Sequence, residues 1–284
     1  MGMQRGEKNM LGIKYEASLR GGIIILLLVF LISLLLTRNI NLVMRAMVQQ
    51  ETRWRTANFR EEQSQHFIIK YTAEDEDQIS LIEGAAEKAY KEVTDVFGRH
   101  PEAPVTLVVY PDEASLARSF GWDKNEQAMG VYWGGTIRIL SPRAYIKGDK
   151  VEETFYREGP MVHEFTHLMV DEVSKGNYNR WWTEGVAQYV EKQVTGFELE
   201  GPASPSSYYD LGTLEKKFDS LDQKTAYWES LQLVEMIAQQ YGEEKVYDVL
   251  TALGRGMNIQ QALEASLGIS YTAFENQLYQ RLLG

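Results

Sequence analysis

The spacing of apolar positions changes several times along the chain, and each change marks an element. Residues 21–37 are uncharged, dominated by Ile, Leu, Val and Phe, and apolar all round. A core helix would keep a polar face, so the run reads as a membrane-spanning helix. A cleaved signal would end in small residues of the A-x-A type. Here Thr37-Arg38-Asn39-Ile40-Asn41 follows instead, which makes residues 21–37 an uncleaved signal-anchor behind a polar tail, residues 1–20. In residues 38–64, Leu42, Val43, Ala46 and Met47 precede charged positions, the pattern of an amphipathic stalk. A folded domain is expected from about residue 65 to 284.

Within that domain, residues 66–71 and 105–110 are short, β-rich runs, and the acidic stretch Glu74-Asp75-Glu76-Asp77 opens a helix to about residue 97. Residues 129–133 and 136–140 flank Gly134-Gly135, a hairpin signal, placing a candidate substrate-pairing edge strand just before the longest motif-bearing segment. That segment, residues 151–175, is helical in period, but Pro160 makes the helix begin or kink there. From about residue 211 onward the pattern is helical, broken near Gly242, Gly254 and Gly268.

Charge divides the chain. Residues 1–60 hold nine Lys/Arg against three Asp/Glu, whereas the rest holds 20 against 37. So acidic a body argues against nucleic acid as a partner. The N-terminus is expected in the cytoplasm and the acidic domain outside, because long domains translocate largely regardless of charge. The chain has no cysteine, which excludes disulfides, thiolate metal sites and cysteine nucleophiles together.

The candidate chemistry lies in His163-Glu164-Phe165-Thr166-His167, which uses two of the four histidines. On a helix, positions i and i+4 share a face, so both imidazoles can point at one zinc ion with the Glu164 carboxylate beside it as general base. A third ligand is available in Trp181-Trp182-Thr183-Glu184-Gly185-Val186-Ala187, at the start of a second helix that returns after a short loop. Asp171 or Gln188, one turn beyond His167 and Glu184, could orient the ligands. Trp181 and Trp182 either wall the helix junction or line a subsite, and His66 and His100 read as ordinary surface residues.

H-E-x-x-H followed closely by W-x-x-E-G-x-A resembles the gluzincin metallopeptidases, particularly the peptidase-MA-like family, over roughly residues 105–283. The resemblance implies an α+β, zincin-like fold with a small, mostly antiparallel sheet, two site helices and a helical C-terminal part. It implies one Zn²⁺ held by His163, His167 and Glu184, with Glu164 as base. It also implies an aromatic-hydroxyl helix near the site, where Tyr227 could stabilise an oxyanion. A membrane-anchored peptidase acting on a peptide or protein substrate is expected. Two alternatives are a catalytically inactive domain that binds peptides or cell-surface polymers, and a hydrolase of another amide such as a peptidoglycan cross-bridge.

Overall fold

The structure is a computed structural model and describes residues 40–121, 128–202 and 208–283. The expected span at 21–37 lies outside the described residues. Among those described, no helix is long and apolar enough to cross a membrane.

Five strands form one sheet in the order β1-β2-β3-β5-β4, with β1 Arg60–Gln63, β2 Phe67–Tyr71, β3 Val105–Tyr110, β4 Gly130–Trp133 and β5 Thr136–Leu140. The expectation of a mostly antiparallel sheet is corrected to a mixed one. β1–β2 and β4–β5 run antiparallel, but β2–β3 and β3–β5 run parallel. The reason is the helix Ile79–Phe97 between β2 and β3, a crossover that returns the chain in the same direction. The β4–β5 hairpin forms as the sequence indicates. Its two turn residues, Gly134 and Gly135, take φ of 53° and 85°, which matches the positive-φ requirement of a tight two-residue turn.

β1 falls inside the stretch expected to be stalk. All four of its residues are exposed, so no alternation betrays it in the sequence, and its charged character suits an edge. The compact unit containing the sheet begins at Val48, still earlier than the expected boundary. From there the C-terminal part of the helix Ile40–Arg55 belongs to the fold, with Val48 and Thr52 buried.

The main core lies on the sheet face that carries Phe67, Ile69, Leu107, Ile137 and Ile139. Against it pack the helix Ile79–Phe97 and the motif helix, Met161–Ser174. The motif helix is buried nearly all round: Val162, Phe165, Met169 and Val170 are at most 1% exposed. Each such side chain contributes roughly 1.5–3 kcal/mol of burial free energy, so this is a core helix. A smaller cluster of Val108, Tyr110, Leu116 and Leu140 fills the opposite face.

Segment 151–175 is two helices, Val151–Glu158 and Met161–Ser174. Gly159 is extended, and Pro160, with no N–H to donate, caps the second helix and accepts from the Glu164 N–H at 2.9 Å. After the turn at Lys175 and Gly176, the Asn177 side chain donates to the Leu253 and Met257 carbonyls at 2.7 and 2.8 Å. That ties the connection to the helical tail and aims the return helix, Arg180–Thr195, back along the first. The return helix also packs on Gln223–Tyr241 so closely that a Cβ at Gly185 would lie 2.3 Å from the Ser230 carbonyl oxygen. The glycine of the W-x-x-E-G run therefore lets two backbones meet.

The tail is helical from Leu211, as expected, and three of its helices start on side-chain caps. Asp210, Asp222 and Asn258 accept from the backbone N–H groups of Thr213, Thr225 and Gln261. In the same tail Glu229 is fully buried and accepts the Tyr209 N–H at 3.0 Å; burial pushes its carboxyl up from 4.5 to about 7. The folded protein therefore binds this proton more tightly than the unfolded chain, and stability falls as pH rises between those two values. Glu229→Gln keeps the acceptor and removes the ionisation. Relative to the wild type it is expected to gain roughly 1–3 kcal/mol between pH 5 and pH 8, allowing for partial screening by solvent. Urea melts at the two pH values measure this, and an equal offset at both would refute it.

Candidate metal centre

His163, His167 and Glu184 converge. The two Nε2 atoms are 3.1 Å apart, and each lies 3.3 Å from Glu184 Oε2. A tetrahedral zinc with ligands at about 2.0–2.1 Å has ligand–ligand edges of about 3.3 Å. The three atoms thus form one face of such a tetrahedron, and the donor set of two imidazoles and a carboxylate suits zinc. The face opens on a cleft of about 1280 Å³, which leaves the fourth vertex to solvent or substrate.

Each of the three converging side chains has an outer partner. His163 Nδ1 lies 3.1 Å from Glu191 Oε2, and His167 Nδ1 lies 2.6 Å from Thr183 Oγ1. These contacts turn the Nε2 atoms of both rings toward the common point. Glu184 Oε1 pairs with Arg180 Nε at 3.0 Å, which leaves Oε2 for the centre. The Asp171 and Gln188 expectations are corrected. Asp171 accepts from the Tyr132 hydroxyl, and Gln188 Nε2 donates to the Glu184 and Tyr227 carbonyls. Glu191 was legible in principle, since it lies seven residues after Glu184 and so on nearly the same helix face. Glu191→Ala is expected to weaken zinc binding about 10–100-fold with the fold intact, as measured by chelator competition. Unchanged affinity would remove Glu191 from the centre.

Burial would depress the His163 imidazole, but its hydrogen bonds to Glu184 and Glu191 lift its pKa well above the usual range. Burial would raise the Glu184 carboxyl, yet the two imidazoles beside it hold it well below.

Glu164 is 6% exposed, and burial raises its pKa against the pull of the two histidines. Its Oε2 accepts the Tyr132 N–H from β4 at 2.6 Å. The approach is close: a Cβ at Gly130 would fall 2.8 Å from Glu164 Cγ and 2.5 Å from Pro160 Cβ. The Tyr132 hydroxyl, besides holding Asp171, accepts the Gly135 N–H at 3.0 Å, so a single residue ties the hairpin turn, the edge strand and the motif helix together. No sequence signal marked Tyr132, because its partners lie three, 32 and 39 residues away on different elements. β4 is an edge strand, as expected, and walls the cleft.

Tyr227 also lines the cleft, from the helix Gln223–Tyr241, and its hydroxyl accepts from Arg180 Nη2 at 3.4 Å. Burial raises the phenol pKa, so it stays protonated and able to donate. Trp181 and Trp182 are fully buried and wall the helix junction. His66 is not a free surface group: it bonds Glu87 at 2.5 Å and stacks on Tyr90.

Fold and centre together define a zinc metallopeptidase-like domain of the α+β, zincin-like class. The chain belongs to the Peptidase MA superfamily, whose family profile matches residues 85–283. No curated protein matches it. Among solved structures it is similar to the M1 zinc metallopeptidase from Deinococcus radiodurans at 14% identity and a TM-score of 0.45, over 78% of this chain and 49% of that one. A point mutant of the same enzyme aligns at 14% identity and a TM-score of 0.47, over 77% and 49%. The chain thus spans about half the length of these proteins.

Proposed function

We propose that this protein is a membrane-anchored, zinc-dependent peptidase that hydrolyses peptide bonds on the outer side of the membrane. The observation that carries the catalytic part is the meeting of His163 Nε2, His167 Nε2 and Glu184 Oε2 beside a buried Glu164 carboxylate. The anchor and orientation rest on the apolar run at 21–37 and the large acidic domain that follows it.

Zinc held by the two histidines and Glu184 would supply Lewis acidity, polarising a carbonyl and acidifying a water molecule. The residues do the rest. Glu164, with its raised pKa, takes a proton from the attacking water and passes it to the departing amine. Its bond to the Tyr132 N–H fixes the carboxylate for both transfers. The free edge of β4 offers backbone groups to an extended substrate, which would bring a scissile carbonyl past Glu164. Tyr227, with Arg180 beside it, donates to the oxyanion of the tetrahedral intermediate.

A mixed library of blocked peptides tests the reading. Protein stripped with chelator is expected to be inert, and about one equivalent of zinc is expected to restore cleavage. Zinc-loaded protein that binds one equivalent and cleaves no peptide would overturn the peptidase assignment. Cleavage of peptidoglycan cross-bridges alone would move it to another amide.

A further inference from the structure

The cleft extends past the metal ligands to a second cluster of charge on the other face of the hairpin. Arg138 on β5 is 1% exposed. Its Nη1 donates to the Ser119 carbonyl at 2.8 Å, its Nη2 to the Thr52 hydroxyl at 3.2 Å, and its guanidinium lies 4.6 Å from the centre of the Phe120 ring. Arg138 Nε has no hydrogen-bond partner, and neither does the Ser119 hydroxyl; both atoms are closed off from solvent. Among the described residues the carboxylate paired with Arg138 is Glu51, which stands 3.8 Å away and is already held by Arg55 at 2.6 Å. One carboxylate therefore serves two guanidiniums. Burying a charge without a directly bonded counter-charge is strongly unfavourable, so a fold that keeps Arg138 here leaves it short of an anion. Glu51, Arg55, Ser119, Phe120 and Arg138 all line the same cleft as His163 and Glu164.

The strand register says what could reach them. Val131 is the direct partner of Arg138 across the β4–β5 pair, while the neighbours of Val131, Gly130 and Tyr132, lie against Glu164 and Asp171. A chain laid on the free edge of β4 adds a strand at about 4.8 Å spacing, and its side chains alternate between the two faces. Side chains on one face meet the metal centre. Those on the other pass Val131 and Trp133 toward the two arginines.

We propose that this end of the cleft is a specificity pocket for an acidic side chain of the substrate, whose carboxylate pairs with the exposed Arg55 and is attracted by the buried Arg138 guanidinium behind it. The proposal rests on the peptidase reading only in requiring an extended peptide along β4. Glu51 sets the strength of the preference because it competes for the same two cations.

Binding to zinc-loaded Glu164→Gln protein tests the pocket without turnover. The probes are acetylated, amidated peptides in pairs that differ only by Glu or Gln at one position, so no terminal carboxylate competes. At one position the Glu peptide is expected to bind about tenfold tighter, with the preference shrinking at high salt. Arg55→Gln is expected to reduce the ratio to near one, and Glu51→Gln to raise it. Arg138→Met should also abolish it. Should that variant fail to fold, the Arg55 and Glu51 variants decide, since both side chains are partly exposed.

Equal binding of every Glu and Gln pair overturns the proposal, as does a ratio that neither Arg55→Gln nor Glu51→Gln alters. The two readings separate cleanly. An acidic preference in a wild-type protein that cleaves nothing upholds the pocket and sinks the peptidase. Cleavage with no acidic preference does the reverse.

Discussion

Glu164→Gln is expected to keep its zinc and lose peptide turnover by about 10²–10⁴-fold, the range associated with a positioned general base. The substitution is nearly isosteric. Gln retains a carbonyl oxygen to accept the Tyr132 N–H, now bonded at 2.6 Å, so the β4 contact and the helix position should persist. What disappears is the ability to take a proton from water and deliver it to the amine. The buried site makes the loss specific, because Glu164 is the carboxylate that β4 holds beside the histidines and is not itself part of the converging triad. Zinc content by atomic emission and kcat on a cleaved peptide are the two measurements. A variant that holds zinc and turns over within tenfold of the wild type would exclude Glu164 as the base. A variant that loses zinc would mean that its carboxylate acts on the metal site instead.

Glu184→Ala is expected to abolish activity through the metal rather than through the base. Loss of an outer partner weakens metal binding about 10–100-fold, and removing a direct ligand costs more than that. Oε2 of Glu184 is equidistant from the two imidazoles at 3.3 Å, so its removal opens one vertex of the triangle and leaves a two-histidine site. It also deprives Arg180 of its 3.0 Å partner and leaves it with Asp219 at 3.8 Å, so a less fully compensated cation stands where a metal cation must bind. Both effects act in the same direction. Chelator competition should show the drop in zinc affinity, and added zinc in large excess should recover only part of the activity. Zinc affinity equal to the wild type would show that Glu184 is no ligand. Arg180→Gln provides the control, since it removes the pairing and leaves both Glu184 oxygens in place.

The features legible in the sequence are those that backbone geometry sets within one element. The spacing of His163 and His167 places both rings on one helix face whatever the helix packs against. Pro160 breaks segment 151–175 because it has no N–H to give, and Gly134-Gly135 closes a hairpin because both positions take positive φ. Glu184 could be read as well, since a short turn constrains where a returning helix can lie.

Contacts between elements were not legible in this way. The sheet is mixed because a helix happens to separate β2 from β3, and β1 exists because β2 offers it an edge, although its own residues carry no strand pattern. Asp171 and Gln188 sat at suitable spacings to orient the ligands, yet Asp171 is taken by Tyr132 and Gln188 by backbone carbonyls, which leaves the task to Glu191 and Thr183. A side chain one or two helical turns away has several partners within reach, and the packing of neighbouring elements selects among them. The sequence by itself determined the candidate ligand types, their helical spacing and the candidate base. Only the tertiary structure decided what holds each of them in place, because hydrogen bonds between elements depend on packing that no local period encodes.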